Sequence, residues 1–432
     1  MKAVFVVPSE ISSGEAVTAL HMAEAIAARG GRVRFLASPF AAACFRPRFP
    51  GRVTLLTNDR EENRRRWTRL LRGRPDAVVF ADYPLLFFSS GTPPLADASW
   101  AAGLDRLDAA LLTLDHLGYA QRPRLLFFGP PHLSLHFERT PPLPPRMEVL
   151  LPCPVQAPAA VPGRRGEPFR YWELPLAVGE AERRRVRSRY LDDDRELLVF
   201  HSAPTWARLH AERFGLPYYA LLPRILEHYL AGAPRRVTVV SVNGDAPPAA
   251  SAGRGVRVVG VGRLPKDEYE ALLLSADLML TENAVSVTLG KAVCGLVPCA
   301  HLRNSWGLGE LSARAEEPLR ALVQESERAR PGSVFPFEAF PIWRREDVEE
   351  LGVFEGNGLA GCVPGVELFG GEATRAALHA LLHDPAEREA VRARQRAYVD
   401  TLRALPGAYE AVRGRCGRGA GRRAAASARR EP

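Results

Sequence analysis

The sequence predicts an α/β protein made of two doubly wound domains that face each other across a cleft. The chain has 432 residues, which is too long for one ordinary domain and fits two. Short apolar runs alternate with amphipathic stretches, as expected for parallel strands covered by helices on both faces. A segment rich in proline and glycine, 140–166, separates two such series and predicts an irregular connection between domains.

The first series begins with a β-α-β unit. The apolar run at 2–7 predicts a strand, small and apolar residues recur at helical spacing between Ala16 and Ala27, and a second apolar run follows at 33–37. Further strands are predicted at 53–56, 76–83, 109–115 and 124–129. Together these elements form a predicted N-terminal domain, 1–165.

The second series follows a predicted linker, 166–195, and forms a C-terminal domain, 196–372. The apolar patterns predict strands at 196–204, 236–244 and 255–262, helices at 218–230 and 266–276, and a strand, loop, helix and strand from 277 to 302. Helices are expected over 373–412, with a restart at Asp384-Pro385, because proline is favoured in the first turn of a helix.

Charge and composition exclude several classes of protein. The formal net charge is +9, but the tail 413–432 contributes +6 of it, so the body is nearly balanced and no nucleic-acid partner is expected. We expect this Gly/Ala/Arg tail to be disordered. No apolar run approaches the roughly 18 residues of a membrane span, and the opening apolar run is too short for a signal peptide, which favours a cytoplasmic protein. The six cysteines form no CxxC pair, so neither a zinc site nor a disulfide framework is expected.

In doubly wound sheets, ligands bind beyond the carboxyl ends of the strands. The loops that follow Val7, Phe80, His201 and Leu280 are therefore where the sequence predicts a site. Each of these loops carries polar side chains, and three stretches of sequence around them resemble patterns of a known enzyme family.

The first stretch is GEAVTALHMAEAIAARGGRVRFLAS, 14–38. It is similar to the opening pattern GHxxPxxxLAxxLxxRGHxVxF of the GT-B glycosyltransferases, especially the inverting type that uses nucleotide sugars to modify small molecules. In that pattern the histidine after the first glycine is the general base, and here Glu15 stands in its place. A carboxylate can do the same work if burial or another carboxylate raises its pKa. The resemblance places acceptor contacts beside it, at Ser13, Gly14 and Tyr83.

The second stretch is PDAVVFADYPLLFF, 75–88, which looks like the family's strand ending in the aspartate that orients the base. That residue is Asp82 here. If Glu15 and Asp82 are close, their like charges should raise one pKa and make the two carboxyls share a proton. Structural alternatives remain open. Ser12-Ser13-Gly14-Glu15 also fits an S-x-x-E capping box, and Asp82 could simply cap a turn.

The third stretch is ADLMLTENAVSVTLGKAVCGLVP, 276–298, which resembles the family's donor-binding strand, turn and helix. The free N–H groups at a helix N-terminus can hold a diphosphate, and Asn283, Ser286 and Thr288 are the candidate contacts. The family's glycine-rich turn is replaced by ENAVS, and its ribose-binding glutamate by Lys291, which could supply charge to a phosphate instead. The alternative is that Ser286 only caps the helix and Lys291 is only a solvated residue.

Two other loops supply weaker candidates. Ser202 and Thr205 follow the first strand of the second domain, where the family places hydroxyl side chains near the donor phosphate. Arg303 and Asn304 lie where the family's sugar contacts sit, although its Asp/Glu-Gln pair is absent. The aromatic-rich stretch at 334–343 could line a pocket or pack in the core.

The resemblance implies a GT-B architecture of two Rossmann-like domains, an N-terminal one for the acceptor and a C-terminal one for the donor. It implies transfer of a sugar from a nucleoside diphosphate to a small molecule or peptide, with inversion, Glu15 as base and Asp82 assisting. It requires no cofactor beyond the nucleotide-sugar co-substrate, and no metal ion. Two alternatives remain: a nucleotide-sugar epimerase of the same fold, and a non-catalytic protein that binds a ligand in the cleft. The sequence does not indicate the nucleobase, the sugar, the acceptor or the oligomeric state.

Overall fold

The computed structural model describes most of the chain. The described residues are 1–10, 12–87, 103–104, 106–116, 118, 125–127, 135–137, 142–159, 165–215, 218–243, 255–284, 286–331 and 355–416. Within them the α/β prediction is confirmed: two parallel sheets are each flanked by helices, as in two Rossmann-like domains.

The first sheet has seven parallel strands in the order β3-β2-β1-β4-β5-β8-β9. Its strands are β1 Lys2–Val7, β2 Arg32–Ala37, β3 Val53–Leu55, β4 Ala77–Ala81, β5 Ala110–Leu114, β8 Glu148–Cys153 and β9 Glu167–Arg170. The central strands β1 and β4 are buried on both faces, which is why their sequences read as continuous apolar runs. The order reverses between β1 and β4, so a crevice is expected at the carboxyl ends of these two strands.

Three predictions for the first domain need correction. The predicted irregular connection 140–166 contains β8, because the apolar residues of Glu148–Cys153 are buried between β5 and β9 despite the flanking prolines. The sheet also continues past the predicted boundary at 165, through β9. The run at 124–129 forms β6, Leu125–Phe127, but it pairs antiparallel with β7, Leu135–Phe137, in a small separate sheet.

The second sheet has six parallel strands in the order β12-β11-β10-β13-β14-β15. They are β10 Leu197–Ser202, β11 Val237–Val242, β12 Val256–Val261, β13 Leu278–Thr281, β14 Cys299–Arg303 and β15 Gly365–Glu367. Here the order reverses between β10 and β13, which puts the second crevice beyond Ser202 and Thr281. The five strands β10 to β14 lie where the apolar runs of the sequence predict them.

Two of the helices begin at an aspartate that caps them. Asp59 and Asp384 accept hydrogen bonds from backbone N–H groups in the first turns of the helices they precede, as the Asp384-Pro385 pair predicts. The helices are α1 Gly14–Ala28, then Pro39–Phe45, Arg60–Leu71, Glu180–Tyr190, Thr205–Phe214, Tyr218–Leu230, Lys266–Ser275, Val287–Cys294, Leu308–Arg314, Leu319–Ala329, Glu372–His383 and Pro385–Arg403, followed by helical residues 408–416. No helix among these described residues is long and apolar enough to cross a membrane.

The two sheets are joined by one continuous hydrophobic core. It contains Phe5 and Phe35 of the first domain together with Phe200 and Cys294 of the second. The chain also returns to the first domain at its end, where the buried Arg415 pairs with Glu148 of β8 at 3.2 Å and with Glu167 of β9. Residues 413–416 are therefore helical, which corrects the prediction of a disordered tail from 413. Residues 417–432 lie outside the described residues.

Candidate active site

Helix α1 brings Glu15 to the carboxyl edge of the first sheet. The helix begins at Gly14, and Ser13 precedes it without a capping bond from its side chain. The Glu15 side chain is buried, with 6% exposed, and its Oε2 accepts a hydrogen bond of 3.2 Å from the Ser9 hydroxyl in the loop after β1. Ser12 instead accepts from the Gly14 N–H at 3.4 Å. Glu15 is therefore tied to the strand loop, and the capping-box alternative is not what the structure shows.

Asp82 follows β4 directly and is fully buried. Its backbone is left-handed, with φ of 67°, a conformation that is strained for a residue other than glycine and that recurs at functional sites. The turn is held by the Tyr83 N–H, which donates to the Thr113 hydroxyl of the neighbouring β5 at 3.0 Å. Asp82 follows β4, and Glu15 lies in the helix that follows the neighbouring β1, so both residues lie beyond the carboxyl ends of adjacent strands.

The closest ionic partner of Asp82 is a residue that sequence reasoning missed. His116, two residues beyond β5, places its Nδ1 at 3.5 Å from Asp82 Oδ2. Burial and, to a smaller extent, the Asp115 and Glu15 charges raise the pKa of Asp82 to about 7, against the opposing effect of His116. Burial alone would lower the pKa of His116, but the attraction of Asp82, together with Glu15 and Asp115, outweighs burial and raises that pKa. The available signal was the Asp115-His116 pair at the carboxyl end of the predicted strand 109–115.

Of the predicted acceptor contacts, two lie at an exposed edge and one does not. Ser13 and Gly14 are partly exposed at the start of α1. The Tyr83 ring is fully buried between Phe80, at 5.4 Å in an edge-to-face arrangement, and Phe87, at 5.2 Å. Hydrophobic packing therefore holds this ring in the core, which corrects its assignment as an acceptor contact.

At the second crevice, a chain of hydroxyls links three elements. The Tyr269 hydroxyl donates to Ser202 Oγ at 2.9 Å and lies 2.7 Å from Thr288 Oγ1. Because a phenol has one hydrogen, Thr288 must donate to Tyr269, which leaves the hydrogen of Ser202 for another acceptor. Two of the predicted donor contacts, Ser202 and Thr288, are thus brought together by a tyrosine that the sequence analysis did not identify.

The Val287–Cys294 helix begins as predicted, with Ser286 as its cap. The Ser286 hydroxyl accepts from the N–H groups of Thr288 at 3.0 Å and Leu289 at 3.2 Å. Asn283, in the preceding turn, is buried, and its N–H donates to the Thr281 hydroxyl at 3.2 Å. The side chain of Ser286 therefore occupies two of the N–H groups that a phosphate would use, which favours the capping interpretation for this residue.

Lys291 does not point its charge into the solvent. Its side chain is 6% exposed, its ammonium pairs with Glu270, and it lies 5.7 Å from the centre of the Trp172 ring. Burial lowers the pKa of Lys291, against the opposing attraction of Glu270. The proximity of His21, 3.5 Å away, and the bond from Lys291 overcome the effect of burial on Glu270 and lower the pKa of that carboxyl. Because Glu270 already neutralises its charge, Lys291 is not expected to contact a donor phosphate.

The remaining predicted contacts have local roles. Thr205 is the first residue of its helix and follows closely after Ser202 in the chain, and its side chain is partly exposed. Asn304 is fully buried, and its side chain exchanges two bonds of 3.2 Å with the backbone of Trp306. Arg303 pairs with Glu367 at 2.7 Å. The aromatic stretch at 334–343 lies outside the described residues.

A second buried histidine lies at the strand-order reversal of the second sheet. His201 of β10 has its Nδ1 at 2.8 Å from the Ser241 hydroxyl and its Nε2 at 3.0 Å from Glu282 Oε2. All three side chains are buried, with 3% or less exposed. This trio ties β11, β10 and the end of β13 together beneath the Ser202 side of the crevice. No group of three or more His, Cys, Asp or Glu among the described residues is arranged to hold a metal ion.

The two crevices meet at the starts of two helices. A Cβ built on Gly14, at the start of α1, would lie 3.6 Å from Cγ2 of Val287, the first residue of the Val287–Cys294 helix. Glu15, in the first turn of α1, and Thr288, in the first turn of the Val287–Cys294 helix, therefore lie on two helix starts that approach each other. A ligand bound in the crevice of the first sheet could therefore lie next to a ligand bound in the crevice of the second sheet.

Comparison with known proteins identifies the fold. A family model described as a family of unknown function (DUF6365) matches residues 22–421, and no curated protein matches the chain. Among solved structures, Spinosyn Rhamnosyltransferase SpnG matches with a TM-score of 0.50 and 14% identity, covering 95% of this chain and 99% of that chain. Spinosyn Forosaminyltransferase SpnP matches with a TM-score of 0.50 and 15% identity, covering 97% and 99%. A further structure with a TM-score of 0.50 and 14% identity, covering 95% and 99%, is SpnG complexed with thymidine diphosphate. The chain thus has the GT-B fold.

Proposed function

We propose that this chain, which belongs to the DUF6365 family, is a glycosyltransferase that moves a sugar from a nucleoside diphosphate to a small molecule or peptide. One observation carries the proposal: the helix that bears Glu15, at the reversal of the first sheet, approaches at Gly14 the start of the helix that bears Thr288 of the hydroxyl chain, at the reversal of the second sheet. The SpnG and SpnP structures of the same fold are, by their names, a rhamnosyltransferase and a forosaminyltransferase, and a further SpnG structure is complexed with thymidine diphosphate.

The proposed step uses Glu15 as general base. The acceptor O–H gives its proton to a Glu15 carboxylate oxygen while the acceptor oxygen forms a bond to the anomeric carbon of the sugar. The bond from that carbon to the diphosphate oxygen breaks, and the electron pair leaves with the nucleoside diphosphate. Attack from the side opposite the leaving group inverts the anomeric centre. The Ser9 hydroxyl, which donates to Glu15 Oε2, fixes the carboxylate on the strand loop.

The donor side of the proposal is built from Ser202, Thr205, Asn283 and Thr288. Ser202 has a hydrogen to donate because Thr288 and Tyr269 pass theirs along the chain, and a diphosphate oxygen is a strong acceptor for it. Hydrogen-bond donors aimed at the leaving diphosphate stabilise the charge that develops as the glycosidic bond breaks. The scheme takes the nucleoside-diphosphate sugar as its co-substrate and assigns no residue to a metal ion.

Thermal unfolding with UDP, dTDP, GDP and ADP tests the donor site. A nucleotide at a hundred times its dissociation constant stabilises the protein by about 2.7 kcal/mol, which a melting curve resolves. We expect one of the four to raise the Tm clearly more than the others. If none changes the Tm of the folded protein at millimolar concentration, the nucleotide-sugar proposal is wrong.

Replacement of Glu15 separates the enzyme from a binding protein of the same fold. In Glu15→Gln we expect sugar transfer to fall at least a hundredfold, because general-base catalysis contributes about 10²–10⁴-fold, while the nucleotide-induced Tm shift persists. Glu24→Gln, on the same helix, is the control and should leave turnover near that of the parent. Nucleotide binding with no product in the parent protein would favour the non-catalytic alternative. Release of a changed nucleotide sugar without an acceptor would favour the epimerase.

A further inference from the structure

One imidazole lies among three buried carboxyl groups at the end of the first sheet. Glu15 is 6% exposed, Asp82 and Asp115 are fully buried, and His116 is 4% exposed. Buried carboxylates are costly unless they are paired or protonated, and like charges in one buried cluster force a proton onto one of them. The distribution of protons within this cluster therefore decides whether Glu15 can accept one.

The contacts of His116 define which of its nitrogens carries hydrogen. The Thr18 hydroxyl donates to the Gly14 carbonyl at 3.0 Å, so its oxygen acts as the acceptor toward His116 Nε2 at 2.9 Å. Nε2 therefore holds a hydrogen, and Nδ1, 3.5 Å from Asp82 Oδ2, is the nitrogen that gains or loses a proton. The Gln156 amide donates to the His116 carbonyl at 2.6 Å and fixes the backbone behind the ring.

We propose that His116 is a positioning residue that holds a proton between its Nδ1 and Asp82 and thereby keeps that proton away from Glu15. This inference rests on the proposed role of Glu15 as the base. Asp82 then acts as the counter-ion of an imidazolium, rather than as a second carboxyl that competes with Glu15 for a proton. The same imidazole is bonded through Thr18 to the first turn of α1, so it also anchors the helix that carries Glu15.

The register of the sheet explains why these groups meet. Ala81 of β4 pairs with Leu114 of β5, so Asp82 and Asp115 leave the sheet side by side, and His116 follows one residue later. The titratable groups facing His116 are Asp82 from the end of β4, Asp115 from its own loop and Glu15 from α1, and all three raise its pKa. Without His116, the proton bound by this buried cluster would have to lie on one of its carboxyl groups, and Glu15 is one of them.

Carbon-13 NMR of the glutamate side-chain carboxyls tests the inference without requiring turnover. The Glu15 signal is assigned as the one missing in Glu15→Gln. In folded His116→Asn we expect the pH midpoint of the Glu15 signal to rise by about one unit or more, the usual size of the effect of a neighbouring charge. In the double variant His116→Asn/Asp82→Asn the midpoint should return toward that of the parent, because the competing carboxyl is gone.

A matched control is His21→Asn, since His21 is a buried histidine on the same helix as Glu15. Burial, with Lys291 nearby, lowers the pKa of His21 to about 3, so the ring is neutral and its loss should not move the Glu15 midpoint. If the His116 variants do not fold, nitrogen-15 NMR of His116 in Asp82→Asn tests the same pair. There the His116 midpoint should fall relative to the parent, and an unchanged midpoint would overturn the inference.

The pH–rate profile then links the proton to turnover. In His116→Asn, the acidic limb of kcat/KM is expected to move to higher pH by the same amount as the Glu15 signal, with KM for the nucleotide sugar nearly unchanged. An unmoved Glu15 midpoint in folded His116→Asn overturns the inference, whatever the nucleotide measurements show. A moved midpoint in a protein that no nucleotide stabilises supports the proton arrangement and instead refutes the proposed function.

Discussion

Removal of the Tyr269 hydroxyl is expected to loosen the donor crevice. The hydroxyl joins Ser202, at the end of β10, to Thr288, in the first turn of the Val287–Cys294 helix, at 2.9 and 2.7 Å. The ring itself packs edge-to-face against Phe200 at 5.4 Å, and phenylalanine would keep that contact. Tyr269→Phe therefore removes the two hydrogen bonds and little else.

The magnitude follows from the two bonds. Each neutral hydrogen bond contributes about 0.5–1.5 kcal/mol net, so Tyr269→Phe should reduce the free energy of unfolding by about 2 kcal/mol. The partner hydroxyls become free to rotate, so Ser202 no longer has its hydrogen directed by the chain. If that orientation contributes one hydrogen bond to a diphosphate, nucleotide binding should weaken about tenfold, which corresponds to about 1.4 kcal/mol.

Urea unfolding and nucleotide titration measure the two effects separately. Tyr398→Phe is the matched control, because it removes a buried hydroxyl 3.0 Å from Asn357 Oδ1, away from the crevice. We expect both variants to lose stability, and only Tyr269→Phe to lose nucleotide affinity. Equal nucleotide affinity in Tyr269→Phe and the parent, together with the expected loss of stability, would refute the role of this hydroxyl chain in donor binding.

Three further predictions concern packing and charge. Gly290→Ala should reduce stability by about 1–3 kcal/mol in urea unfolding, because the new Cβ would lie 2.5 Å from Pro154 Cγ; an unchanged stability would mean that the Pro154 loop yields. Lys291→Met should cost about 3 kcal/mol by removing the ammonium group that pairs with Glu270, and the added change Glu270→Leu should recover most of it; a harmless single change would contradict the importance of this pair. The raised pKa of Asp82 means that the native state binds more protons than the unfolded state, so its contribution to stability is full below about pH 4 and is lost as the pH rises through about 7. The free energy of unfolding of Asp82→Asn minus that of the parent should therefore be larger at pH 8 than at pH 5. If urea unfolding gives the same difference at both pH values, the raised pKa of Asp82 is contradicted.

The second crevice shows which features of a site can be predicted from residues that are close in sequence. The sequence located the β13 turn and the start of the Val287–Cys294 helix, and the structure confirms Ser286 as the residue that caps it. Helix caps depend on residues within one turn of each other, so they can be read locally. The pairing of Lys291 with Glu270 could not be read in this way, because the two residues lie on different helices.

The amino-acid sequence by itself determined the fold class and the loops in which to look for a site. Apolar runs of strand length and apolar residues at helical spacing are local properties of the chain. Because the strands are parallel, the loops after Val7, Phe80, His201 and Leu280 lie at the carboxyl edges of the sheets, where ligands bind. Only the tertiary structure decided the partners within those loops. Glu15 accepts a hydrogen bond from Ser9 because α1 begins at Gly14. Asp82 lies beside His116 because β4 and β5 pair in the register that places Ala81 opposite Leu114. Strand register and domain contact arise from packing between distant segments, which no local pattern in the chain specifies.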